Sequence, residues 1–478
     1  MIRRAVEAGP RERTLQARSI FINRNYGLFM AGSFVGATGS WIQGVAMGWL
    51  ALELGNSAFV LGLVGFARMV PLLLIAFPVG ALGDRLDRRK MLIASNLGSF
   101  AAALALTLSV WAGLASVPLL VGLALAAGTA DAFGWPVWSV FIKDMVGPER
   151  LRTAVAVNSA RFNLTRVIGP SIGGLLLAAY GPALCFSVST LMALGVLVAL
   201  LLIRLAPREQ GEHGPWLPAL GEGLRFAAGT PDVRRILLVT AGMGLFGQPY
   251  QQMLPAIARD GLGVGPEGLG LLMTSVGAGA IVGAVMTGAA RAQRRARPLL
   301  VLLPVGVGLA LVVIGLAPLV GGMPLATAAL AVVGLCSIAH MAVANTTLQL
   351  GVRESIVGRV MGLFTVVQAG MMPLGSLGLG ALADRAGLTL ALGVAGLGAA
   401  AVALCVGWAW LSPAAEGEER HADAEQKQRP GQVDRPLEVA RPARQPDRGL
   451  QQTGRDAERP DREHEPASRA AQRPDPHR

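Results

Sequence analysis

Charge is scarce in this chain: 15% of its 478 residues ionise, while 53% are hydrophobic. A water-soluble protein of that size needs more polar surface, so an aqueous globular fold is excluded and lipid becomes the expected solvent. Cysteine is scarcer still. Cys185, Cys336 and Cys405 lie far apart, each inside an apolar run. That spacing excludes a disulfide framework and a zinc set, and all three are expected to pack between helices. Also missing are a phosphate-cradling Walker sequence and a nucleophile elbow, which argues against an ATP-driven pump or a hydrolase. No metal or cofactor is expected. The net charge of +12 comes from arginines in short clusters rather than along one face, which removes nucleic acid as a partner.

What is present is a series of long apolar runs. A bilayer core of roughly 30 Å needs about twenty apolar residues in a helix, the one open structure that satisfies its own backbone without water. That ruler predicts twelve spans. The first six are Tyr26 to Leu52, Ala58 to Leu82, Met91 to Leu114, Pro118 to Phe141, Thr153 to Tyr180 and Leu184 to Leu205. The second six are Ile236 to Ala258, Leu269 to Ala290, Leu299 to Leu319, Pro324 to Leu350, Val360 to Ala383 and Leu388 to Leu411. The basic amino-terminal segment, 1–25, leads into an apolar stretch too long for a signal-peptide core, so it is expected to stay as the first span.

Basic residues assign the sides. Arg85, Arg88, Arg89 and Lys90, then Lys143, Arg150 and Arg152, and later Arg291, Arg294, Arg295 and Arg297 fall in one set of alternate loops. The opposite loops hold only Arg259 and Arg385. Cytoplasmic loops retain arginine and lysine, so both termini are expected in the cytoplasm of a cell with this protein in its inner membrane. The loop 206–235 is the longest between spans and separates bundles at 26–205 and 236–411; within it Leu217 to Ala228 reads as a short interfacial helix. The tail, 412–478, is rich in Pro, Arg, Asp, Glu and Gln and is expected to be disordered.

The halves also repeat. At an offset of 208 positions Gly39 and Gln43 meet Gly247 and Gln251, Leu61 to Leu63 meet Leu269 to Leu271, and Gly80 and Ala81 meet Gly288 and Ala289. The basic turn from Arg85 then falls on the one from Gln293. Parallel repeats of six helices are one architecture of secondary transporters, with the substrate near the midplane between the halves.

The turn GALGDRLDRRK, Gly80 to Lys90, resembles the loop 2–3 signature of the major facilitator superfamily. Gly80, Leu82, Asp84, Arg85, Arg88 and Arg89 match, while Asp87 stands where a second glycine is usual. RVIGPSIGG from Arg166 is similar to that superfamily's antiporter signature at Gly169, Pro170, Gly173 and Gly174, with Thr165 in place of an earlier glycine. Spans one and seven and the stretch around Arg359 look like its drug-efflux and enterobactin-exporter-like branch. The resemblance implies an all-α membrane fold of two pseudo-symmetric six-helix bundles, and a loop 2–3 latch that holds the halves together on the cytoplasmic side. It also implies a cavity lined from spans one, four, seven and ten. Trp41 and Gln43, then Trp135, then Gln248, Tyr250 and Gln251, and finally Asn345 and Gln349 are its candidate lining residues.

Ionisable groups at membrane depth are functional candidates by default. Asp131 lies about 20 Å into span four and Arg161 about 12 Å into span five from the other side, so the two reach similar depths. Asp131 reads either as a proton acceptor or as one half of a structural pair with Arg161. His340 in span ten is one position from the offset counterpart of Asp131. It reads as a proton carrier or as a histidine hydrogen-bonded between helices. Arg68, near the middle of span two, either faces a water-filled cavity as an anion site or pairs with a carboxylate that the sequence does not identify. Export of a small organic molecule by alternating access, driven by proton exchange, is the leading reading. Uptake or facilitated diffusion on the same fold, and a non-transporting scaffold or sensor, stay open beside it. A monomer working with the bilayer, protons and a small molecule is expected. Cysteine labelling from each side of the membrane checks the arrangement: residues introduced beside Arg88 and Arg294 should react from the same face, and opposite faces would contradict it.

Overall fold

In a computed structural model, residues 23–83, 87–203, 216–287 and 296–411 can be described. Asp84, Arg85, Arg204, Arg208, Arg291, Arg294, Arg295 and the tail 412–478 lie outside them, as does the side chain of Leu82. All regular structure among the described residues is helical, and nine helices are long and apolar enough to cross a membrane.

The first is α1, Arg24–Gly55, capped by the Asn23 side chain, which accepts from the backbone of Asn25 and Tyr26. Next come α2, Ala58–Gly83, and α3, Arg88–Trp111. Asp87, the departure from the loop signature, is the N-cap of α3: its carboxylate accepts from Arg89 N at 2.9 Å and Lys90 N at 3.2 Å. A carboxylate there satisfies orphan donors and complements the helix dipole, so the substituted residue strengthens the helix start.

Helix α4, Val117–Leu202, is helical throughout but bent sharply at Gly147 (φ 72°) and Gly181 (φ 75°). Positive φ with extended ψ is a conformation that only glycine adopts without strain. These two glycines cut the run into α4a (117–146), α4b (148–180) and α4c (182–202), at the gaps expected between spans four, five and six. Amphipathic α5, Trp216–Gly229, matches the expected interfacial helix within a residue. Ala227 on it is buried with Val233, Leu348 and Val360, so it packs on the second half.

Residues 231–261 depart from a simple span. Helix α6, Pro231–Gly242, runs into a π turn at Met243–Gly247; α7, Tyr250–Ala256, follows and ends in a second π turn at Ile257–Gly261. Then come α8, Pro266–Thr287, α9, Ala296–Val320, α10, Gly322–Gly351, α11, Glu354–Ala386, and α12, Leu388–Leu411.

Lipid is as apolar as leucine, so these helices gain little from burying hydrophobic surface against each other and instead depend on close packing at small residues. The packing repeats. A side chain at Gly62 would strike the carbonyl oxygen of Ser376, and one at Gly270 that of Pro170; Gly380 faces the carbonyl of Ala58 as Gly174 faces that of Pro266. Inside the halves, Gly128 rests on the carbonyl of Arg68 and Gly334 on that of Val276. Gly98 meets Ala130 as Gly306 meets Cys336.

These matched pairs correct the repeat register. Positions 41, 62, 68 and 98 find counterparts 208 further on, at 249, 270, 276 and 306, whereas 36, 128, 174 and 196 find theirs 206 further on, at 242, 334, 380 and 402. The second half thus carries two extra residues between 242 and 249, where the helix opens into the π turn. A π turn is how a helix absorbs inserted residues without losing its direction.

The buried cores divide unevenly. Leu61, Ile257 and Leu379 belong to one cluster shared by both halves, at the end where α1 turns into α2. At the other end Tyr26, Leu92 and Leu200 form one core and Val233, Leu300 and Trp410 a separate one. Among the described residues, the buried core is continuous across the halves at one end and divided at the other. Of the cysteines, Cys185 and Cys336 are buried as expected; Cys405 is exposed, because its face of α12 is turned outward from the bundle.

Asp232, in the first turn of α6 and ahead of the apolar run that starts at Ile236, ties three helices at the divided end. It accepts from the Trp410 indole at 2.9 Å and from Arg297 at 3.2 Å, with Arg235 at 3.4 Å. Burial alone would raise its carboxyl, but the indole and the guanidinium groups outweigh that and hold it below its ordinary value. Its contribution to stability is therefore present above the unfolded carboxylate range near pH 4 and is lost as pH falls through the lower folded value. Asp232→Asn should cost about 1 kcal/mol or less, since the group is half exposed. Thermal unfolding in detergent should show the deficit at pH 7, shrinking toward zero as the medium is acidified below the folded value.

Candidate functional site

The first half brings one acid–base cluster together, and glycine does the positioning. Gly128 lets α4a touch the α2 backbone at Arg68. One helical turn on, the Asp131 carboxylate meets the Arg68 guanidinium in a salt bridge. On the other flank Gly98 of α3 abuts Ala130, and the neighbouring Ser99 donates its hydroxyl to the second Asp131 oxygen. Both charges are about a third to a half exposed (32% and 45% of the side chain), so they do not sit in a sealed core. The carboxylate partner that the sequence left open for Arg68 is thus Asp131.

Arg161 does not join them. It donates to the Ser33 carbonyl at 2.9 Å and to Asn158 Oδ1 at 3.1 Å, and lies 6.0 Å over the Trp138 ring. Its depth matches that of Asp131, but Ser33 on α1 and Asn158 on its own helix lie within its reach and take its donors, so the expected Asp131–Arg161 pair is replaced. Trp138 packs on Phe29 with centroids 4.6 Å apart.

The antiporter-like glycines on α4b are contact points. Gly169 takes the Trp41 side chain, Gly173 the backbone of Ile42, and Gly174 the backbone of Gly270; the Pro170 carbonyl receives Gly270. Arg166, next to them, offers its carbonyl against Gly277 on α8. Gly174, Pro170 and Arg166 thus touch the second half, while Gly169 and Gly173 pack on α1 of their own half.

Of the loop 2–3 residues, Arg88 binds Asp144 through two contacts at 2.9 and 3.2 Å, and Arg89 donates to the carbonyls of Leu200 and Leu201. Those contacts knit α3 to α4a and α4c within one half. Gly80 ends up inside α2, and the latch partners Asp84 and Arg85 lie outside the described residues.

The candidate lining residues fall into three groups. Gln251 donates to Gln248 at 2.6 Å and Gln349 to Asn345 at 2.6 Å, so both amide pairs satisfy one another along a helix face. Trp41 and Gln43 are half-buried on α1. Trp135 is 62% exposed, while Tyr250 is completely buried, and the latter is a packing residue rather than a lining one.

Two groups that the sequence did not single out span the joined end. Asp384, at the last turn of α11, accepts from Ser57 Oγ and from the backbone of Ala58 and Phe59, capping the start of α2 in the other half. Arg259 donates to the Leu52 carbonyl at 3.2 Å and to Asn56 Oδ1 at 2.8 Å, capping the end of α1. Each charge sits at the helix pole of opposite sign. The signal was available: Arg259 is one of two basic residues in the sparse loops.

A buried polar group also lies in the second half. Both ring nitrogens of His340 and the hydroxyls of Thr240 and Ser337 have no hydrogen-bond partner among the described residues, and all three residues line one small cavity.

A membrane chain helical throughout its described residues, with recurring glycine contacts between its halves and a part-exposed charge pair at mid-span, has the build of a major facilitator superfamily transporter. The chain belongs to that superfamily's transmembrane secretion effector family, whose model matches residues 19–441. It is 28% identical over 371 residues to the multidrug efflux pump Tap of Mycolicibacterium fortuitum, covering 76% of this chain and 90% of the pump. To the enterobactin exporter EntS of Escherichia coli O1:K1 it is 30% identical, over 60% of this chain and 68% of that one. Among solved structures, a bacterial homologue of the lysosomal transporter Spinster in an inward-facing, unoccupied conformation is similar with a TM-score of 0.62 at 15% identity, covering 83% of this chain and 99% of the other. The nucleoside transporter NupG gives 0.62 at 12% identity, covering 81% and 98%. At those identities the likeness concerns the fold.

Gly128→Val tests the positioning argument. A side chain there has to push α2 and α4a apart, at a cost of about 1–3 kcal/mol. The expected result is a lower thermal midpoint together with loss of the Arg68–Asp131 contact, measured as a longer spin-label distance between the two helices.

Proposed function

We propose that the protein exports a small organic molecule, of the drug or siderophore kind named for its relatives, across the bacterial inner membrane by alternating access with proton exchange. The observation that carries this reading is the part-exposed Arg68–Asp131–Ser99 cluster at mid-span. The breaks at Gly147 and Gly181 divide α4 into three spans, and residues 236–258 count as one interrupted span. Twelve crossings in two six-helix bundles at 26–205 and 236–411 follow, with both termini cytoplasmic, and the loop from 206 to 235 joins them. The joined end is then the outer one, sealed by Asp384 and Arg259, and the divided end faces the cytoplasm. That is the inward-facing state of a monomer.

In this state the ion pair is electrically neutral. A proton on Asp131 breaks the balance and leaves Arg68 uncompensated, so the site gains one charge. A charge at membrane depth is costly and responds to the membrane potential. Conformations that differ in how well they solvate that charge are shifted by it. Proton uptake from outside and release inside thereby drive the halves past one another while the organic molecule moves the opposite way. Trp41, Gln43 and the amide pairs Gln248–Gln251 and Asn345–Gln349 supply the flat and polar contacts for that molecule.

Everted membrane vesicles test the reading with a panel of antibiotics and siderophores. Asp131→Asn should abolish gradient-driven flux, at least a tenfold loss, while leaving insertion intact. Unchanged proton-linked flux in that variant would remove Asp131 from the mechanism. Flux by the native protein that ignores the gradient would replace exchange with facilitated diffusion, and no flux of any compound from folded protein would favour a scaffold.

A further inference from the structure

The second half has no counterpart of the ion pair. With the structural register, Asp131 corresponds to Ser337, 206 positions on, and Arg68 to Val276, 208 positions on. The place of the charge pair is taken by the cavity beneath Ser337. Its floor is Thr240, Ser337 and His340, exposed by only 3%, 6% and 4%. Four polar atoms there have no protein partner among the described residues. The rim is Gln368, which donates to the Met341 sulfur at 3.1 Å, and Met341 is 39% exposed. The space measures about 20 Å³ at the positions open to the centre of a water molecule.

A buried polar atom without a partner costs roughly 1–3 kcal/mol, so four at one point are not stable dry. A cavity of more than about 10–15 Å³ on this measure holds one water, and a bound water commonly makes about three hydrogen bonds. Two hydroxyls and an imidazole supply that number. The cavity exists because of the inserted residues: Met243 and Gly244 of the π turn and Gln248 just beyond it form one wall. The matching helix of the first half, α1, runs without a π turn, and the position matching His340 in that half is Gly134.

We propose that this cavity is a hydrated proton-binding site, in which one water held by Thr240 and Ser337 exchanges a proton with the His340 imidazole. A hydronium reaching the cavity gives up one O–H bond, an N–H bond forms on the free ring nitrogen, the imidazole becomes cationic and neutral water remains; release is the reverse. No charged residue lines the cavity from α6, its π turn, α10 or α11, so the water and the two hydroxyls are the partners left to solvate the imidazolium. The neighbouring thiol on α10, Cys336, packs against Gly306 on α9. The role in transport rests on the proton-exchange reading, but the site itself does not.

The test uses the full chain, labelled with 15N-histidine, in lipid nanodiscs. The chain has five histidines, four of them in the central loop and the tail, and His340→Gln assigns the fifth signal by its disappearance. The expected result is a His340 ring that contacts water and titrates reversibly as the medium is acidified from about pH 8 to the limit of folding. In Thr240→Val combined with Ser337→Ala, nearly unchanged in volume, water contact and titration should both be lost. A native ring that stays neutral and dry across that range would overturn the proposal, as would an unchanged titration in the folded double variant. A silent His340 with gradient-driven efflux intact sinks this site alone. A titrating His340 beside efflux that ignores the gradient sinks the exchange reading and leaves the site.

Discussion

The rest of this structure depends on the approach of backbone to backbone at glycine. In a bilayer neither the hydrophobic effect nor water-mediated contacts draw helices together strongly, and what remains is packing distance. Gly128 on Arg68, Gly270 on Pro170 and Gly62 on Ser376 are places where one added carbon would force helices apart. Polar chemistry is set by the same contacts. Asp131 reaches Arg68 because Gly128 has already brought the two helices into touch, and Ser99 reaches Asp131 because Gly98 has done the same on the other flank.

Between the halves the same device becomes a moving part. The antiporter-like motif, which in sequence is a run of small residues around a proline, supplies the carbonyl and glycine surfaces on which α8 rests. Such a seam of hard contacts has few intermediate positions, so the halves exchange between discrete arrangements more readily than they deform. Charges act at the ends of that seam rather than along it. Asp384 and Arg259 each cap a helix of the opposite half, where the carboxylate meets free N–H groups and the guanidinium meets free carbonyls. Both are largely exposed contacts of modest strength.

The repeat also shows where the halves have parted company. Duplicated halves in strict register would present two identical sites to the gap. Two extra residues in the seventh span, absorbed as a π turn, and the substitution of Ser337 for Asp131 leave a charge pair on one side and a neutral polar cavity on the other. The asymmetry explains how one chain can offer two chemically different faces on a common scaffold.

Much was legible in the residues. Apolar length placed the spans and the gaps between them, in which Gly147 and Gly181 turn the chain, and the Gly-Pro run around Pro170 marked a motif. Ionisable residues inside apolar runs marked Asp131, Arg68 and His340 as the residues to watch, since the cost of a charge in lipid is a local property. Partners were not legible. Asp131 and Arg161 lie at equal depth, yet depth is a single coordinate, and which side of a helix faces which neighbour depends on glycines elsewhere in the bundle. The offset of 208 was correct for one stretch and two residues out for the rest, because an insertion inside a helix leaves no gap in composition. The sequence by itself determined a many-spanned membrane helix bundle with an internal repeat, through length, polarity and charge placement. Only the tertiary structure decided that Arg68 holds Asp131, that Asp384 and Arg259 close one end, and that His340 stands over a cavity, because those outcomes depend on helix rotation and distances of a few ångströms that no local pattern encodes.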